Sequence, residues 1–374
     1  MKPIDDLAAA LAAAHPELDA VREAAGGVRV YLVGGSVRDL LLGRVRADVD
    51  LVVEGDAAAL AAALGAEVVE HERFATAKVE LDGHEVDIAA ARAETYPRPG
   101  ALPEVEPAAD VAADLGRRDF TINAMAIPLQ GEPELIDPHG GRADLEAGLL
   151  RVLHPRSFVD DPTRALRAAR YAARFGFELE AETARLLRQT DLRTISGDRL
   201  AAELLRLAAE PSAARGFELL GDWGLVELRP GGVELTVRVI ELLSSATPWS
   251  ELAPRERVVE AAALGPAGGE IALAEAHPER PSEAVELARG RGPVELTLAR
   301  AMGADWLDRY LLEWLPLRLE IDGHDLIEAG VPQGPALGRG LAAALRRKLD
   351  GEICGRDEEL AAALAAAGGD DEVA

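Results

Sequence analysis

Two aspartates stand one residue apart in an otherwise apolar run. Asp48 and Asp50 alternate with Val49, Leu51 and Val53. Because side chains alternate across a β-strand, both carboxylates are expected on one face of a strand whose other face is apolar. Two carboxylates this close repel each other unless a cation lies between them, and oxygen ligands without histidine or cysteine suit Mg²⁺. The pattern predicts a catalytic metal site at Asp48 and Asp50. Taken alone, the same pair is also typical of a solvated strand end.

A glycine pair, Gly34 and Gly35, precedes these aspartates and follows an apolar run that begins at Val30. Glycine lets the backbone approach a phosphate closely, and a helix beginning at Ser36 would present unpaired backbone N–H groups there. Arg38 adds a permanent positive charge. The stretch lacks the Lys-Ser/Thr of a Walker A loop and does not fit G-x-G-x-x-G. The glycines alone are typical of any strand-to-helix turn, but beside the two aspartates they predict a metal-dependent nucleotide site.

Two motifs in this order resemble a known family. Gly34-Gly35-Ser36-Val37-Arg38-Asp39, with Asp48-Val49-Asp50, resembles the head domain of class II tRNA nucleotidyltransferases, the CCA-adding enzymes, and of their bacterial poly(A) polymerase relatives. Residues 117–124 resemble the RRDFTINA motif of the same family without a departure. The resemblance implies that Arg118 contacts the nucleotide and that Asp119 helps to hold its sugar, with Asn123 in the same nucleotide-binding set.

A third acidic residue follows on a predicted hairpin. An Asp-Gly pair at residues 82–83 separates two alternating runs, which is a strong hairpin signal. On the return strand Val86 and Ile88 face one way and Asp87 the other. The residues alone leave open a solvated acid on an edge strand. In the resembling family an acid stands five positions before an arginine here, and Asp87 with Arg92 keeps that spacing. The resemblance implies that Asp87 is the third catalytic carboxylate.

A helix beginning at residues 160–162 carries the most informative arginines. An acid followed by proline is an ordinary helix start, so Asp161 can be a helix cap. Arginines at 164, 167, 170 and 174 recur at helical spacing, and few acids within the helix balance them. The resemblance implies that Asp161 and Arg164 read the incoming base, followed by Arg167 and Arg170. An arginine fork and a carboxylate together can complement cytosine and adenine. Capping needs one oxygen of Asp161, so both roles are compatible.

Composition limits the cellular setting and the partners. The chain has 374 residues and a net charge of −26, which would argue against a nucleic-acid partner if charge were spread evenly. Residues 151–210 are locally basic, however, because arginine outnumbers the acids there. The single cysteine, Cys354, fits a reducing cytosol and predicts a cytoplasmic protein. No apolar run reaches the length of a membrane span.

The resemblance implies an α+β fold, and the pattern agrees, because the strand signals stop before about residue 150 and helical periodicity follows. We expect an N-terminal mixed β-sheet nucleotidyltransferase head with flanking helices, followed by an all-helical neck, body and tail. The predicted elements include helices at 4–25 and 56–64, a strand at 67–70, and a long loop at 93–116. The predicted domains are a head at residues 1–146, a base-recognising neck at 147–210, a body at 211–310 and an RNA-docking tail at 311–374.

The resemblance implies template-independent addition of CCA, from CTP and ATP, to the 3′ end of tRNA. Asp48 and Asp50 would hold Mg²⁺, assisted by Asp87, while the 3′ hydroxyl attacks the α-phosphorus and pyrophosphate leaves. Gly35, Ser36 and Arg38 would cradle the triphosphate. In length, the loop at 93–116 resembles the full-length loop of the family, which favours complete CCA addition. The alternatives are a poly(A) polymerase, an A-adding tRNA nucleotidyltransferase and, from other classes, a non-catalytic RNA-binding relative or a dinucleotide-binding protein.

Overall fold

Alternating apolar and polar residues produce the central sheet of the first part of the chain. The computed structural model describes residues 7–44, 48–65, 76–81, 83–108, 110–244 and 248–368. Two compact units divide the chain, one over residues 1–226 and one over residues 227–374. The strands of the first unit are β1 (Arg29–Val33), β2 (Asp48–Glu54), β3 (Thr76–Leu81), β4 (His84–Ala90), β5 (Arg92–Thr95), β6 (Glu104–Pro107), β7 (Ala126–Pro128), β8 (Leu149–Leu150) and β9 (Glu178–Leu179).

Five of these strands form one mixed sheet in the order β3-β4-β2-β1-β7. Strands β2 and β4 run parallel, whereas the β1–β2, β1–β7 and β3–β4 pairs are antiparallel. The hairpin predicted at residues 82–83 is therefore confirmed. The head is a mixed sheet, as expected.

Helices cover one face of this sheet. The helices before residue 150 are α1 (Leu7–Ala14), α2 (Leu18–Ala24), α3 (Gly35–Leu41), α4 (Ala57–Ala63), α5 (Val111–Gly116) and α6 (Gly141–Ala147). Apolar residues of α1 to α4 bury against Val49, Leu51, Val86 and Ile88 to form the main core. The alternation that exposes Asp50 therefore buries its neighbours.

Two predictions for the N-terminal part need correction. The helix expected over 4–25 is two helices, α1 and α2, and the break falls at His15 and Pro16, whose ring allows no backbone N–H for a continuous helix. The buried His15 ring bonds to Glu17 at 2.9 Å. The helix predicted over 56–64 is α4, with Asp56 as its cap. The strand predicted at 67–70 lies outside the described residues.

The long loop predicted over 93–116 is wrong. Strands β5 and β6 pair antiparallel, and α5 follows with Asp110 as its N-cap. Val111 and Leu115 of α5 bury against Val52 on the second face of the sheet. These elements have four to six residues each, too few for a periodic pattern to appear. The segment therefore covers part of the sheet face that carries Asp50.

Beyond residue 150 the first unit is mainly helical. Its helices there are α7 (Ser157–Asp160), α8 (Thr163–Phe175), α9 (Ala181–Leu187), α10 (Gly197–Ala208) and α11 (Ala213–Asp222). The neck was expected to be all helical, but β8 and β9 pair parallel within it. Both strands have only two residues, so their pairing across 29 positions leaves no local pattern. The unit boundary near residue 226 also groups the neck with the head.

The second unit consists of helices over its described residues. They are α12 (Gly232–Ser244), α13 (Trp249–Leu252), α14 (Arg255–Leu264), α15 (Gly269–Glu275), α16 (Pro281–Ala288), α17 (Pro293–Ala301), α18 (Trp306–Arg309), a π-helical turn (Tyr310–Trp314), α19 (Gly323–Glu328), α20 (Pro335–Leu349) and α21 (Arg356–Ala367). Asp322 and Asp325 form a capping box at the start of α19. Across the part of the chain that the structure describes, no helix is both long and apolar enough to span a bilayer.

Candidate active site

The glycine pair turns the chain from β1 into α3. Gly34 has a φ of +64°, and a Cβ at this position would collide with the guanidinium of Arg118. The positive φ therefore favours glycine, and a side chain here would displace the guanidinium of Arg118 from its present position. Ser36 is buried, and its hydroxyl accepts a hydrogen bond of 3.0 Å from the backbone N–H of Asp50. Ser36 thus fixes β2 against α3, and its predicted role in binding the triphosphate stays a prediction.

Asp50 and Asp87 lie side by side on the sheet. They are a register pair of the parallel strands β2 and β4, on the face opposite the buried Val49 and Val86. Lys78, their neighbour on β3, places its Nζ 3.4 Å from a carboxylate oxygen of Asp87. Adjacent carboxylates supply the hard oxygen donors that Mg²⁺ prefers. These residues therefore fit a divalent cation.

Asp48 lies on β2 in register with Glu85, and its side chain is outside what the structure describes. Within the described residues there is no group of three potential protein ligands that could hold a metal. Asp48, two positions before Asp50 on the same strand, stays a predicted metal ligand beside Asp50. Its role rests on the alternation of the strand alone.

A cleft of about 330 Å³ opens above Asp50. It brings together the head and α8, so ten of the predicted site residues line one space. The lining consists of Gly35, Arg38, Asp50, Glu94, Tyr96, Arg117, Arg118, Asp119, Asn123, Asp161, Arg164, Arg167, Arg170, Tyr171 and Arg174. Asp87 instead lines an adjoining cleft of about 380 Å³. Asp50, Arg117 and Arg118 border both clefts.

Arg38 is held by its neighbours within this lining. It is only 2% exposed, and its Nε and one terminal nitrogen donate to Asp39 at 2.9 and 3.0 Å. Its other terminal nitrogen donates to Asn123 at 2.6 Å. The ring of Phe175 lies 4.6 Å from its guanidinium carbon. The charge of Arg38 is thus anchored in the wall of the cleft, and its predicted part in cradling the triphosphate stays a prediction.

Asp119 joins the head to α8. One of its oxygens accepts from Asn123 at 2.9 Å and from the backbone of Phe120 at 2.8 Å. The other accepts from Nε of Arg167 at 2.8 Å. Burial opposes ionisation, but the charge and hydrogen bonds of Arg167, with that of Asn123, lower the pKa of Asp119 to about 2. Burial opposes the charge of Arg167, but Tyr171 and Asp119 beside it raise its pKa.

Asp161 precedes α8 and caps it through one oxygen. That oxygen accepts from the backbone N–H of Thr163 at 3.1 Å, from its hydroxyl at 2.7 Å, and from Arg199 at 2.8 Å. Arg199 also donates to the carbonyl of Gly100 at 2.8 Å. All three bonds use Oδ1, so the second oxygen is not needed for capping, and the predicted base-reading role of Asp161 stays a prediction. Arg199 additionally links Asp161 to the turn between β5 and β6.

Arg164 is almost fully buried, with 4% of its surface exposed. One terminal nitrogen donates to the hydroxyl of Ser157 at 2.7 Å, and the other donates to the carbonyl of Arg117 at 2.7 Å. Its guanidinium carbon lies 5.9 Å from the ring centre of Tyr96. The planar fork therefore has one fixed orientation at the wall of the cleft.

The remaining arginines of α8 have acidic neighbours from elsewhere in the first unit. Arg170 lies 3.9 Å from Glu203 and 3.6 Å from Glu210, and Arg174 also lies 3.6 Å from Glu210. Few acids were expected to balance this face because few occur within the helix. The balancing acids are more than 30 residues away, on and after α10, so the pattern of α8 alone could not reveal them.

Four cleft residues were missed by sequence reasoning: Glu94, Tyr96, Arg117 and Tyr171. The hydroxyl of Tyr96 donates to Glu94 at 3.1 Å, and burial, with the nearby carboxylate of Glu94, raises the pKa of Tyr96 to about 12. Arg117 donates to the same glutamate at 2.9 Å. The only available signal was the two-residue spacing of Glu94 and Tyr96 in a segment interpreted as a loop.

The chain matches known proteins over both halves. A family model described as the poly A polymerase head domain matches residues 30–151, and a model described as the probable RNA- and SrmB-binding site of polymerase A matches residues 176–229. The A-adding tRNA nucleotidyltransferase of Halalkalibacterium halodurans is 45% identical over 52% of this chain and 48% of its own length. The chain thus spans about half of that relative.

Two further matches extend over nearly the full length. The CC-adding tRNA nucleotidyltransferase of Deinococcus radiodurans is 37% identical over 91% of this chain and 90% of its own length. The solved structure of the Thermotoga maritima CCA-adding enzyme in complex with tRNA is 30% identical, covers 96% of this chain and 98% of that chain, and has a TM-score of 0.73. Because the similarity to the Deinococcus radiodurans enzyme extends over nearly all of both chains, this chain belongs to the tRNA nucleotidyltransferase family.

Proposed function

We propose that this protein adds CCA to the 3′ end of tRNA, using CTP and ATP, with Mg²⁺ as its metal. The observation that carries the proposal is one cleft lined by a metal-fitting carboxylate, Asp50, and by two groups suited to base recognition, the partly exposed Asp161 and the buried Arg164. A nucleotide lying between them would present its phosphates to Asp50 and its base to α8. Selection of the nucleotide then needs no nucleic-acid template, because side chains of the protein contact its base.

The proposed metal ligands are Asp48 and Asp50, with Asp87 assisting. Magnesium bound there would favour ionisation of the RNA 3′ hydroxyl and neutralise the charge of the triphosphate. The 3′ oxygen forms a bond to the α-phosphorus, the bond from that phosphorus to the β-phosphate oxygen breaks, and pyrophosphate leaves. Each cycle lengthens the RNA by one nucleotide.

The residues of the chain supply binding and orientation. Arg118 would contact the phosphates, while Gly34 and Gly35 leave space for the guanidinium and for the nucleotide. The Asp119–Arg167 pair would lie along the sugar. The fork of Arg164 and the open oxygen of Asp161 would bond to the edge of cytosine or adenine and reject bases with the opposite pattern.

Two alternative activities of the same site are the addition of CC alone and the addition of A alone. Both are favoured by relatives whose printed names state those activities. The described segment between Asp87 and Arg117 contains β5, β6 and α5, and its length is our reason for preferring complete addition. A poly(A) polymerase would use the same chemistry with ATP alone.

One experiment separates these outputs. Transcripts of tRNA ending at the discriminator base, at −C and at −CC are incubated with Mg²⁺ and CTP, ATP or both, and the products are resolved to one nucleotide. Three additions to the first transcript, ending after A, are expected. Two additions that end at CC would identify a CC-adding enzyme, and a single A on the −CC transcript alone would identify an A-adding enzyme. A long ladder from ATP would identify a poly(A) polymerase, and no incorporation would overturn the proposal.

A further inference from the structure

One buried carboxylate holds two arginines of the cleft. Asp114 lies in α5 with 0% of its surface exposed. One oxygen accepts from Arg117 at 2.9 Å at Nε and 2.7 Å at a terminal nitrogen. The other oxygen accepts from Arg118 at 3.2 Å at Nε and 2.9 Å at a terminal nitrogen. Both acceptors of the carboxylate are therefore fully used by two forks.

The two arginines serve different sides of the cleft. The guanidinium of Arg118 occupies the space that a side chain at Gly34 would need, beside the end of β1. The carbonyl of Arg117 accepts the 2.7 Å bond from Arg164, on the base-reading side. Asp114 thus connects the phosphate side with the base side through two consecutive residues.

An arginine fixed before the nucleotide arrives loses less conformational freedom on binding than a mobile one. Asp114 itself does not line either of the two clefts that Asp50 borders. Its effect on the nucleotide must therefore pass through Arg117 and Arg118. Burial without a charge partner would disfavour an ionised Asp114, so the pairing also explains why an acid is tolerated inside the head.

We propose that Asp114 is a positioning residue that orients Arg118 toward the triphosphate and, through the backbone of Arg117, fixes the fork of Arg164. The inference rests on the proposed function because it assigns Arg118 to the phosphates. It predicts that removing the charge of Asp114 reduces the preference of the protein for a triphosphate over a monophosphate. A purely structural role would lower the folded fraction but leave that preference intact in the molecules that remain folded.

The test compares the binding of CTP and of CMP by calorimetry, with Mg²⁺ and without tRNA, in the full chain. Asp114→Asn is expected to reduce the ratio of the CMP Kd to the CTP Kd about tenfold, as expected for the loss of a well-oriented charge-assisted bond. Asp110→Ala is the matched control. Asp110 caps the same helix by accepting from Ala113 at 3.0 Å and contacts neither arginine. This control should weaken α5 and leave the ratio unchanged.

A double variant tests whether Asp114 acts on the nucleotide through Arg118. In an Arg118→Ala background, Asp114→Asn should produce little further change in the ratio, because interacting residues are not additive. If Asp114→Asn does not fold, Asp114→Asn/Arg117→Gln removes one charge of each sign and leaves Arg118 without its buried partner. The same tenfold reduction is then expected.

The outcomes separate the two proposals. A ratio in Asp114→Asn equal to that of the natural protein, or an equal fall in Asp110→Ala, would overturn the positioning role. Full additivity with Arg118→Ala would do so as well. If the natural protein binds CTP no better than CMP, the proposed function itself fails at that first measurement.

Discussion

Asp119 and Arg167 form a salt bridge across the cleft. Oδ2 of Asp119 lies 2.8 Å from Nε of Arg167 and 2.7 Å from one of its terminal nitrogens. The two residues are 48 positions apart and belong to the head and to α8. Their bridge therefore fixes the distance between the wall that carries Asp50 and the wall that would read the base.

The first prediction concerns the stability of this bridge as pH changes. The pKa of Asp119 in the folded protein is about 2, below the value of about 3.9 for an unfolded chain. The folded state is thus stabilised by ionised Asp119 above pH 4, by about 2 kcal/mol, and this stabilisation is lost as pH falls toward 2.

Urea denaturation at pH 6 and pH 3 checks this prediction. The natural protein should lose more unfolding free energy between these pH values than Asp119→Asn, which has no charge to lose. Asp191 is the control, because its carboxylate and its partner Arg193, two positions along the chain, are both exposed, and water screens a pair of this kind. Asp191→Asn should keep the natural pH dependence, and an equal pH dependence in Asp119→Asn would contradict the assignment.

The second prediction concerns the carboxylates of β2. Asp50→Asn, like Asp48→Ala, should reduce single-turnover addition of CMP to tRNA on the order of 10³-fold, because the charge that holds the metal is lost. The thermal unfolding temperature should not fall. Glu85→Gln is the matched control on β4, since Glu85 pairs with Lys78 and lines neither cleft that Asp50 borders. An active Asp48→Ala or Asp50→Asn enzyme would disprove the metal assignment.

The third prediction concerns base selection. Arg164→Lys and Asp161→Asn should each reduce the kcat/KM preference for CTP and ATP over UTP and GTP about tenfold, because lysine cannot donate a planar fork and asparagine changes an acceptor to a donor. The binding of the triphosphate itself should change less. Arg156→Lys, at an exposed pair with Asp160, serves as the control. If both variants keep the natural preference for CTP and ATP, Arg164 and Asp161 do not select the base.

The fourth prediction concerns the turn between β5 and β6. Gly100 has a φ of +69°, and a Cβ there would collide with the backbone of Thr194. Gly100→Ala should therefore detach the turn and increase proteolysis near the exposed Leu102. Gly83→Ala is matched, because Gly83 has a φ of +81° and open space around it. If the two variants are cleaved equally, the effect of alanine comes from its unfavourable positive φ alone, and contact with Thr194 does not hold the turn.

Much of the sheet and of α8 could be predicted from the sequence because their signals are local. Alternation placed Asp50 and Asp87 on one face, an Asp-Gly pair located the β3–β4 hairpin, and a proline marked the start of α8. The family and its mixed-sheet fold are confirmed as well. The roles of individual side chains stay predictions.

The partners of those side chains could not be predicted. Glu203 and Glu210 approach α8 from distant positions, and Asp114 lies in a helix too short to be recognised. Ser36 and Arg38 were assigned to the phosphates by type, whereas their hydrogen bonds run to Asp50, Asp39 and Asn123. Long-range pairing is decided by packing and leaves no periodic trace along the chain.

The electrostatic attraction of RNA to the cleft acts only at short range, because acids lie beside Arg167, Arg170 and Arg174. Beyond a Debye length of roughly 10 Å at 0.1 M salt, an approaching RNA experiences a chain whose net charge is −26. That repulsion acts during diffusion and is screened first, whereas the arginine contacts act only after docking. Moderate salt should therefore accelerate the encounter with RNA while it weakens the docked complex, so that association rate and affinity respond to ionic strength with opposite signs.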